Sequence, residues 1–112
     1  MEDGFTQKPY VISDKFYESR SQVYYYGLRT FGYFQAERYN HKIEKAIETL
    51  SVFYAVYPEC RHLATKSRIY RNIILDAHLI IYRITAERIE VLDIIHGAKS
   101  ICKIRQVRKI KL

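Results

Sequence analysis

Hydrophobic positions in the first half of the chain follow the spacing of amphipathic helices. Before them, the short apolar run Tyr10–Ile12 predicts a first strand. Ser13 then predicts a helix start, because its hydroxyl can accept a free backbone N–H of the first turn. The apolar positions that follow fall roughly on one helix face, at Phe16, Val23, Gly27 and Phe31. Gly32 and its aromatic neighbours predict a turn at the end of this helix.

A second helix has the clearest periodicity in the chain, because its apolar residues recur at three- and four-residue steps. They are Ala36, Tyr39, Ile43, Ala46, Ile47, Leu50 and Phe53. Pro58 ends the pattern, and residues 55–68 are predicted to form a loop. Together the two helices predict an antiparallel hairpin over roughly residues 14–54.

The last third of the chain has the composition of β-strands. Ile69–Leu75, His78–Thr85 and Arg88–Ile95 are rich in isoleucine, leucine, valine and tyrosine. The two-residue connections between them, Asp76-Ala77 and Ala86-Glu87, are short enough for tight hairpins. These segments therefore predict a three-stranded antiparallel meander.

Two-residue turns would also fix which side chains of the meander are neighbours. Arg71, Tyr82 and Val91 would lie side by side on one face, with Asp93 one row along. On the other face, Arg83 would lie opposite Glu90. Neither connection contains the glycine of a type I′ turn, so this register depends on the turn lengths.

The order of elements predicts a single α+β domain over residues 1–112, with its core at about 10–98. It consists of a short N-terminal strand, an antiparallel helical hairpin, a three-stranded meander and a basic C-terminal segment. No apolar run approaches the ~18–20 residues of a membrane-spanning helix. The acidic N-terminus is unlike a signal peptide, so we expect a cytoplasmic protein that does not enter the membrane.

Positive charge is concentrated in the C-terminal segment, residues 99–112. The net charge of the chain is +7, and this segment contains six lysines and arginines and no acid, so the rest is nearly balanced. Such asymmetry indicates a terminal segment that binds a larger or acidic partner. The segment also contains the apolar residues Ile101, Ile104, Val107 and Ile110, which argue against a freely solvated tail. The segment could instead extend the sheet or form a helix.

Neither a metal nor a cofactor is expected. Cys60 and Cys102 are far apart, so they are interpreted as free thiols in a reducing compartment. Cys60 is close to His62, but no second pair follows at zinc-finger spacing, and His41 and His78 lie on different predicted elements. The eleven tyrosines either stack on nucleic-acid bases or seal a thin core.

Several stretches, taken in order, resemble the RelE/ParE superfamily of toxins from bacterial type II toxin–antitoxin modules, which include plasmid stabilisation systems. The resemblance runs from about Tyr10 to Lys99. It rests on Ala36–Leu50 with Pro58 soon after, and on the meander segments Tyr70–Leu75, His78–Ile84 and Ile89–Gly97.

The superfamily has two main activities. RelE-like members are ribonucleases that cut messenger RNA in the ribosomal decoding site, whereas ParE-like members inhibit DNA gyrase and are not known to need a catalytic centre. The long hairpin and the His96-Gly97 ending resemble ParE. The resemblance therefore implies a growth-inhibiting toxin that binds DNA gyrase without catalysis. It also implies neutralisation by a cognate antitoxin, in a heterotetramer or a higher complex.

The alternative is a ribosome-dependent mRNA endoribonuclease, whose candidate catalytic residues would be Arg71, His96 and Lys99. Arg71 and Lys99 match two of the basic positions of RelE-like enzymes, and histidine titrates in the range suited to acid–base catalysis. Leu79, however, stands where an arginine is expected, and the chain lacks their terminal tyrosine or histidine. His96 could equally be structural.

The residues predicted to bind the target or the antitoxin are basic: Arg71, Arg83, Lys99, Lys103, Arg105, Arg108 and Lys109. The tail could bind rRNA or DNA phosphates, or an acidic antitoxin segment. Arg71 and Arg83 could instead be cross-strand partners of Glu90 or Asp93. A third function, from another class, is a non-toxic chain that binds the antitoxin and co-represses its own operon.

Overall fold

The structure is a computed structural model that describes residues 7–97 and 101–112. A four-stranded sheet has a helical hairpin on one face and the C-terminal segment on the other. The elements in chain order are β1 Tyr10–Ile12, α1 Asp14–Phe31, α2 Tyr33–Glu48, α3 Leu50–Phe53, β2 Tyr70–Ile74, β3 His78–Ile84, β4 Ile89–His96, α4 Ile101–Gln106 and a 3₁₀ turn Val107–Lys109. The strand order is β1-β4-β3-β2, with β1 parallel to β4 and the meander antiparallel.

Ser13 begins α1 and also fixes it to the sheet. Its hydroxyl oxygen accepts a hydrogen bond from the Phe16 N–H at 2.9 Å, which confirms the predicted N-cap. The same hydroxyl donates to the Leu92 carbonyl at 2.6 Å, and the Ser13 N–H donates to the Val91 carbonyl at 2.9 Å. One serine therefore sets both the first residue of the helix and its position at the edge of β4.

The predicted hairpin is present, and Gly32 forms its turn with a φ of 90°, a backbone conformation that favours glycine. The core between the hairpin and the sheet is formed by buried residues of both layers: Phe16, Ile43, Ile47, Leu50, Ile73, Ile80, Tyr82, Ile89, Val91 and Ile94. Phe31 and Phe53, expected on the apolar faces, are instead 64% and 47% exposed. Between Tyr24 and Arg38 no residue belongs to this core, so the turn end of the hairpin extends past the sheet.

Both meander connections are two-residue turns, closed by hydrogen bonds from Leu75 to His78 and from Thr85 to Arg88. The register places Arg71 beside Tyr82 and Val91, and Arg83 beside Glu90, as predicted. The regular spacing expected from Val91 to Asp93 is interrupted. A β-bulge leaves Leu92 without a paired residue in β3, so that Asp93 pairs with Ile81.

The described part of the C-terminal segment, residues 101–112, forms a short helix and a 3₁₀ turn and does not extend the sheet. Ile104 and Val107 are buried on the sheet face opposite the hairpin. They complete a second core with Cys60, Leu63, Tyr70, Ile81, Leu92 and Ile95. Ile104 and Val107 of the predicted apolar stripe, with the partly buried Ile110, therefore form the docking face of the tail, whereas Ile101 is 47% exposed. The charged residues between them point outward.

The two cysteines are free and have different surroundings. Cys60 is buried in the second core, where burial raises the pKa of its thiol, whereas Cys102 is exposed on α4. None of the helices in the described ranges is long and apolar enough to cross a membrane.

Candidate functional site

A broad basic depression lies between α4 and the loop that precedes β2. We call it the basic groove; its volume is about 900 Å³, and its lining residues are Arg61, His62, Ala64, Ile101, Cys102, Arg105, Gln106, Arg108 and Lys109. None of these described lining residues is acidic. The structure thus brings together three of the predicted binding residues, Arg105, Arg108 and Lys109, and their part in binding stays a prediction.

One wall of the groove was not predicted. Arg61 and His62 come from the 55–68 loop, which the sequence pattern treats only as a connection. Their neighbours Cys60 and Leu63 are buried in the second core, and this burial fixes the loop beside the tail. Alternation of buried and basic residues within the loop is the signal that could have indicated this wall.

Arg83 anchors the far end of the tail. Its guanidinium donates to the Ile110 carbonyl at 3.0 Å and to the Tyr70 hydroxyl at 3.3 Å. It also donates to Glu90 at 2.8 Å, and Glu90 accepts a second charged hydrogen bond from Arg88 at 2.9 Å. The predicted cross-strand partner of Arg83 is therefore confirmed, and its guanidinium also holds the C-terminal segment.

Glu90 remains charged in this arrangement although it is nearly buried. Burial alone would raise its pKa, but the hydrogen bonds from Arg83 and Arg88 outweigh burial and hold the pKa below its ordinary value. The Glu90 carboxylate thus holds Arg83, the residue that anchors the tail.

Arg71 is engaged with the backbone of the loop before its strand. Its guanidinium donates to the carbonyls of Ala55, Tyr57 and Arg68, each at 2.9 Å. Arg68 has a φ of 56°, an uncommon conformation for a residue with a side chain. Arg71 therefore ties both ends of the loop to β2.

His96 lies at the opposite end of the sheet from Arg71. It pairs with His78, and the two imidazole rings are 5.3 Å apart at their centres. The rows that contain Arg71 and His96 are four residues apart along β3, or about 13 Å. The fold does not bring these two candidate catalytic residues together, and Lys99 lies outside the described residues.

Lys103 is exposed on α4 but does not line the basic groove. Its charge favours the ionised form of Asp93, which is buried and also accepts a hydrogen bond from Ser19 of α1. Burial is nevertheless the stronger effect and raises the pKa of Asp93. Six of the basic candidates lie in the described part of the chain. Arg105, Arg108 and Lys109 lie together in the basic groove, whereas Arg71, Arg83 and Lys103 each lie in separate surroundings.

A second, more apolar cleft lies under the part of the hairpin that extends past the sheet. We call it the hairpin cleft; it encloses about 460 Å³. Aromatic and aliphatic side chains of the helices line one side, with Asp76, Ala77, His78 and His96 on the other. The Tyr39 hydroxyl lies 2.7 Å from His78 Nδ1 at its inner end. Among the described residues, no three metal-binding side chains come together here or elsewhere.

His78 gives the fold a pH dependence. Burial lowers its pKa, and the neighbouring His96 lowers it further. Because folding favours the neutral ring, the stabilisation is present above the unfolded pKa of about 6.5 and is lost as the pH falls through the folded pKa. We expect the free energy of unfolding in urea to fall less on acidification in His78→Gln than in the unmodified chain. His41→Gln, on the exposed face of α2, is the control and should keep the full pH dependence of the free energy of unfolding. If this variant loses the pH dependence and His78→Gln keeps it, His78 is not its source.

These features define a class: a small α+β domain with a long helical hairpin on one face of a four-stranded sheet. The chain belongs to the family described as the ParE toxin of type II toxin–antitoxin system, parDE, whose model matches residues 10–101. The predicted resemblance, and its closer kinship with ParE, are confirmed.

A solved structure shows the same fold. The chain is similar to the chromosomal ParDE TA system from P. aeruginosa, with a TM-score of 0.67 at 13% sequence identity. The similarity covers 80% of this chain and 96% of that one. None of the curated proteins compared with the chain matches it significantly.

Proposed function

We propose that this chain is a cytoplasmic toxin that inhibits DNA gyrase by binding, and that a cognate antitoxin neutralises it in a heterotetramer or a higher complex. The observation that carries the proposal is the ParE family match over residues 10–101. The gyrase target and the antitoxin are proposed for this chain because it belongs to that family.

The arrangement of charged residues supports binding over self-contained catalysis. Cleavage of RNA needs a base, an acid and phosphate-binding cations within reach of one phosphate. Here the Arg71 guanidinium donates to three backbone carbonyls, and the rows of the sheet that contain Arg71 and His96 lie about 13 Å apart along β3.

Two exposed surfaces suit partners of different chemistry. The hairpin cleft offers apolar and aromatic side chains, which are enriched at the energetic centres of protein interfaces. The basic groove offers cations on the other side of the sheet. The antitoxin would use the cleft for apolar anchors, while the groove would face the target.

The experiment is a supercoiling assay with purified gyrase and the purified chain, beside mapping of messenger RNA ends after controlled expression. We expect supercoiling to fall with toxin concentration, without new in-frame cleavage of messenger RNA, and to recover when the antitoxin is added. Normal gyrase activity together with new cleavage would instead establish the ribonuclease alternative. A chain that is harmless to its host would favour the co-repressor.

His96→Gln separates the two toxic mechanisms. His96 is exposed, and glutamine keeps a polar side chain there, so the fold should be retained. Inhibition of gyrase should be unchanged in this variant if the mechanism is binding. A variant that folds but loses all toxicity would contradict the proposal.

A further inference from the structure

The positive charge of the basic groove follows from how the tail docks. Ile104 and Val107 turn toward the sheet, so Arg105, Arg108 and Lys109 are exposed on the outer side of α4 and its 3₁₀ turn. Across the groove, residues 60–63 of the loop also combine buried and exposed side chains: Cys60 and Leu63 are buried in the second core, and Arg61 between them is exposed. Two segments far apart in sequence therefore present cations to one depression.

In the part of the chain that the structure describes, Glu59 of the neighbouring loop and Glu90 of the sheet are engaged with other groups. Glu59 contacts Arg68 at 3.6 Å and accepts a hydrogen bond from the Thr65 N–H. Glu90 is held by Arg83 and Arg88. With carboxylates turned away, the groove keeps an unbalanced positive potential, and a depression lined by one sign of charge concentrates that potential.

We propose that the basic groove binds the phosphodiester backbone of duplex DNA. The choice of DNA as the polyanion rests on the proposed function, since gyrase acts on DNA, whereas the charge of the groove is independent of it. The groove would contribute a sequence-independent contact that holds the toxin against the nucleic acid beside its target.

Side-chain chemistry favours a duplex over a single strand. Proteins that bind single strands stack bases on aromatic side chains, and the described lining of the groove contains no phenylalanine, tyrosine or tryptophan; its one ring is the half-buried imidazole of His62. The large exposed aromatics Phe31, Tyr33 and Phe34 lie at the hairpin turn. An acidic peptide would need apolar anchors, and the groove offers only Ala64, Ile101 and Cys102. A groove rich in cations and without a large aromatic side chain matches a backbone whose bases are already paired.

Cys102 supplies a built-in reporter of occupancy. It lines the groove and is exposed, whereas Cys60 is buried and burial raises the pKa of its thiol. Only thiolates react rapidly with alkylating reagents, so iodoacetamide should modify Cys102 and spare Cys60. Duplex DNA bound in the groove should protect Cys102.

The test measures binding of a short fluorescent DNA duplex to the full chain by anisotropy over a range of salt concentrations, with Cys102 alkylation in parallel. The variant R105Q/R108Q/K109Q removes three exposed charges of the groove. We expect its log–log salt slope to be smaller in magnitude by about 2.7, at 0.9 per phosphate contact. DNA should slow alkylation of Cys102 in the unmodified chain.

A matched control removes the same charge from the hairpin. R29Q/R38Q/K45Q changes three exposed cations away from the groove, so it lowers the net charge equally. Its salt slope should stay close to that of the unmodified chain. Equal losses in both triple variants would show a general charge effect and overturn the proposal.

Three further outcomes would overturn the inference: no protection of Cys102 by DNA, tighter binding of single-stranded RNA, and tighter binding of a polyglutamate peptide. The gyrase assay keeps the two proposals separate. Gyrase inhibition without protection of Cys102 by DNA would overturn only the inference. Protection by DNA in a chain that leaves gyrase active would support the groove and overturn only the proposed target.

Discussion

Replacement of Phe16 by alanine is expected to lower the free energy of unfolding by about 3–5 kcal/mol. Phe16 is fully buried in the first turn of α1, where it packs in the core between the hairpin and the sheet. Alanine would leave a cavity that the surrounding side chains cannot fill, because interiors are close-packed. Small domains are stable by only about 5–15 kcal/mol, so much of the total would be lost. Urea unfolding followed by circular dichroism measures the change.

Phe34→Ala is the matched control. It deletes the same atoms from a helix of the same hairpin, but Phe34 is 82% exposed beside the turn. Its free energy of unfolding should change by no more than about 0.5 kcal/mol. Similar losses in the two variants would mean that the hairpin does not pack on the sheet through Phe16.

Replacement of Val107 by aspartate is expected to detach the C-terminal segment. Val107 is 1% exposed in the second core, and a carboxylate there would be desolvated in an apolar environment. Release of the tail is the cheaper outcome, because in this variant it costs mainly the burial of Ile104, about 1.5–3 kcal/mol, and the hydrogen bond from Arg83 to the Ile110 carbonyl. The tail should therefore leave the sheet while the hairpin stays folded.

Thiol reactivity would report the detachment directly, because Cys60 belongs to the same core as Val107. In the unmodified chain, only the exposed thiol of Cys102 should react fast. In Val107→Asp, the thiols of Cys60 and Cys102 should both react fast. Gln106→Asp introduces the same charge at the exposed neighbouring position and should leave Cys60 protected. If Cys60 stays unreactive in Val107→Asp, the tail is not what covers the second core.

Local patterns were sufficient for most of the elements. The N-cap at Ser13, the turn at Gly32 and the two-residue meander turns depend on a few neighbouring residues, and all are present. The pairing of Arg83 with Glu90 followed because a turn length fixes the register of two adjacent strands. The bulge at Leu92 did not follow, since period-two alternation contains no signal for an extra residue.

The candidate site was less predictable, because it depends on contacts between distant segments. The sequence indicated that Arg105, Arg108 and Lys109 are available for binding, but not that Arg61 lies across from them. It also placed Arg71 and His96 in one candidate catalytic set, although the sheet register separates them. The number of basic residues can be counted along the chain, whereas their meeting in one groove depends on the tail packing on the sheet beside the 60–63 loop.

The sequence by itself determined the helical hairpin and the antiparallel meander, because periodicity and turn residues are local properties. Several of its stretches also carried the resemblance to a toxin superfamily. Only the tertiary structure placed β1 parallel to β4 and the tail on the sheet face opposite the hairpin. Both arrangements join residues far apart in sequence, and each is selected by which apolar face remains uncovered once the local elements have formed. The basic groove is a consequence of that last choice: Ile104 and Val107 bury against the sheet, and Arg105, Arg108 and Lys109 face the solvent.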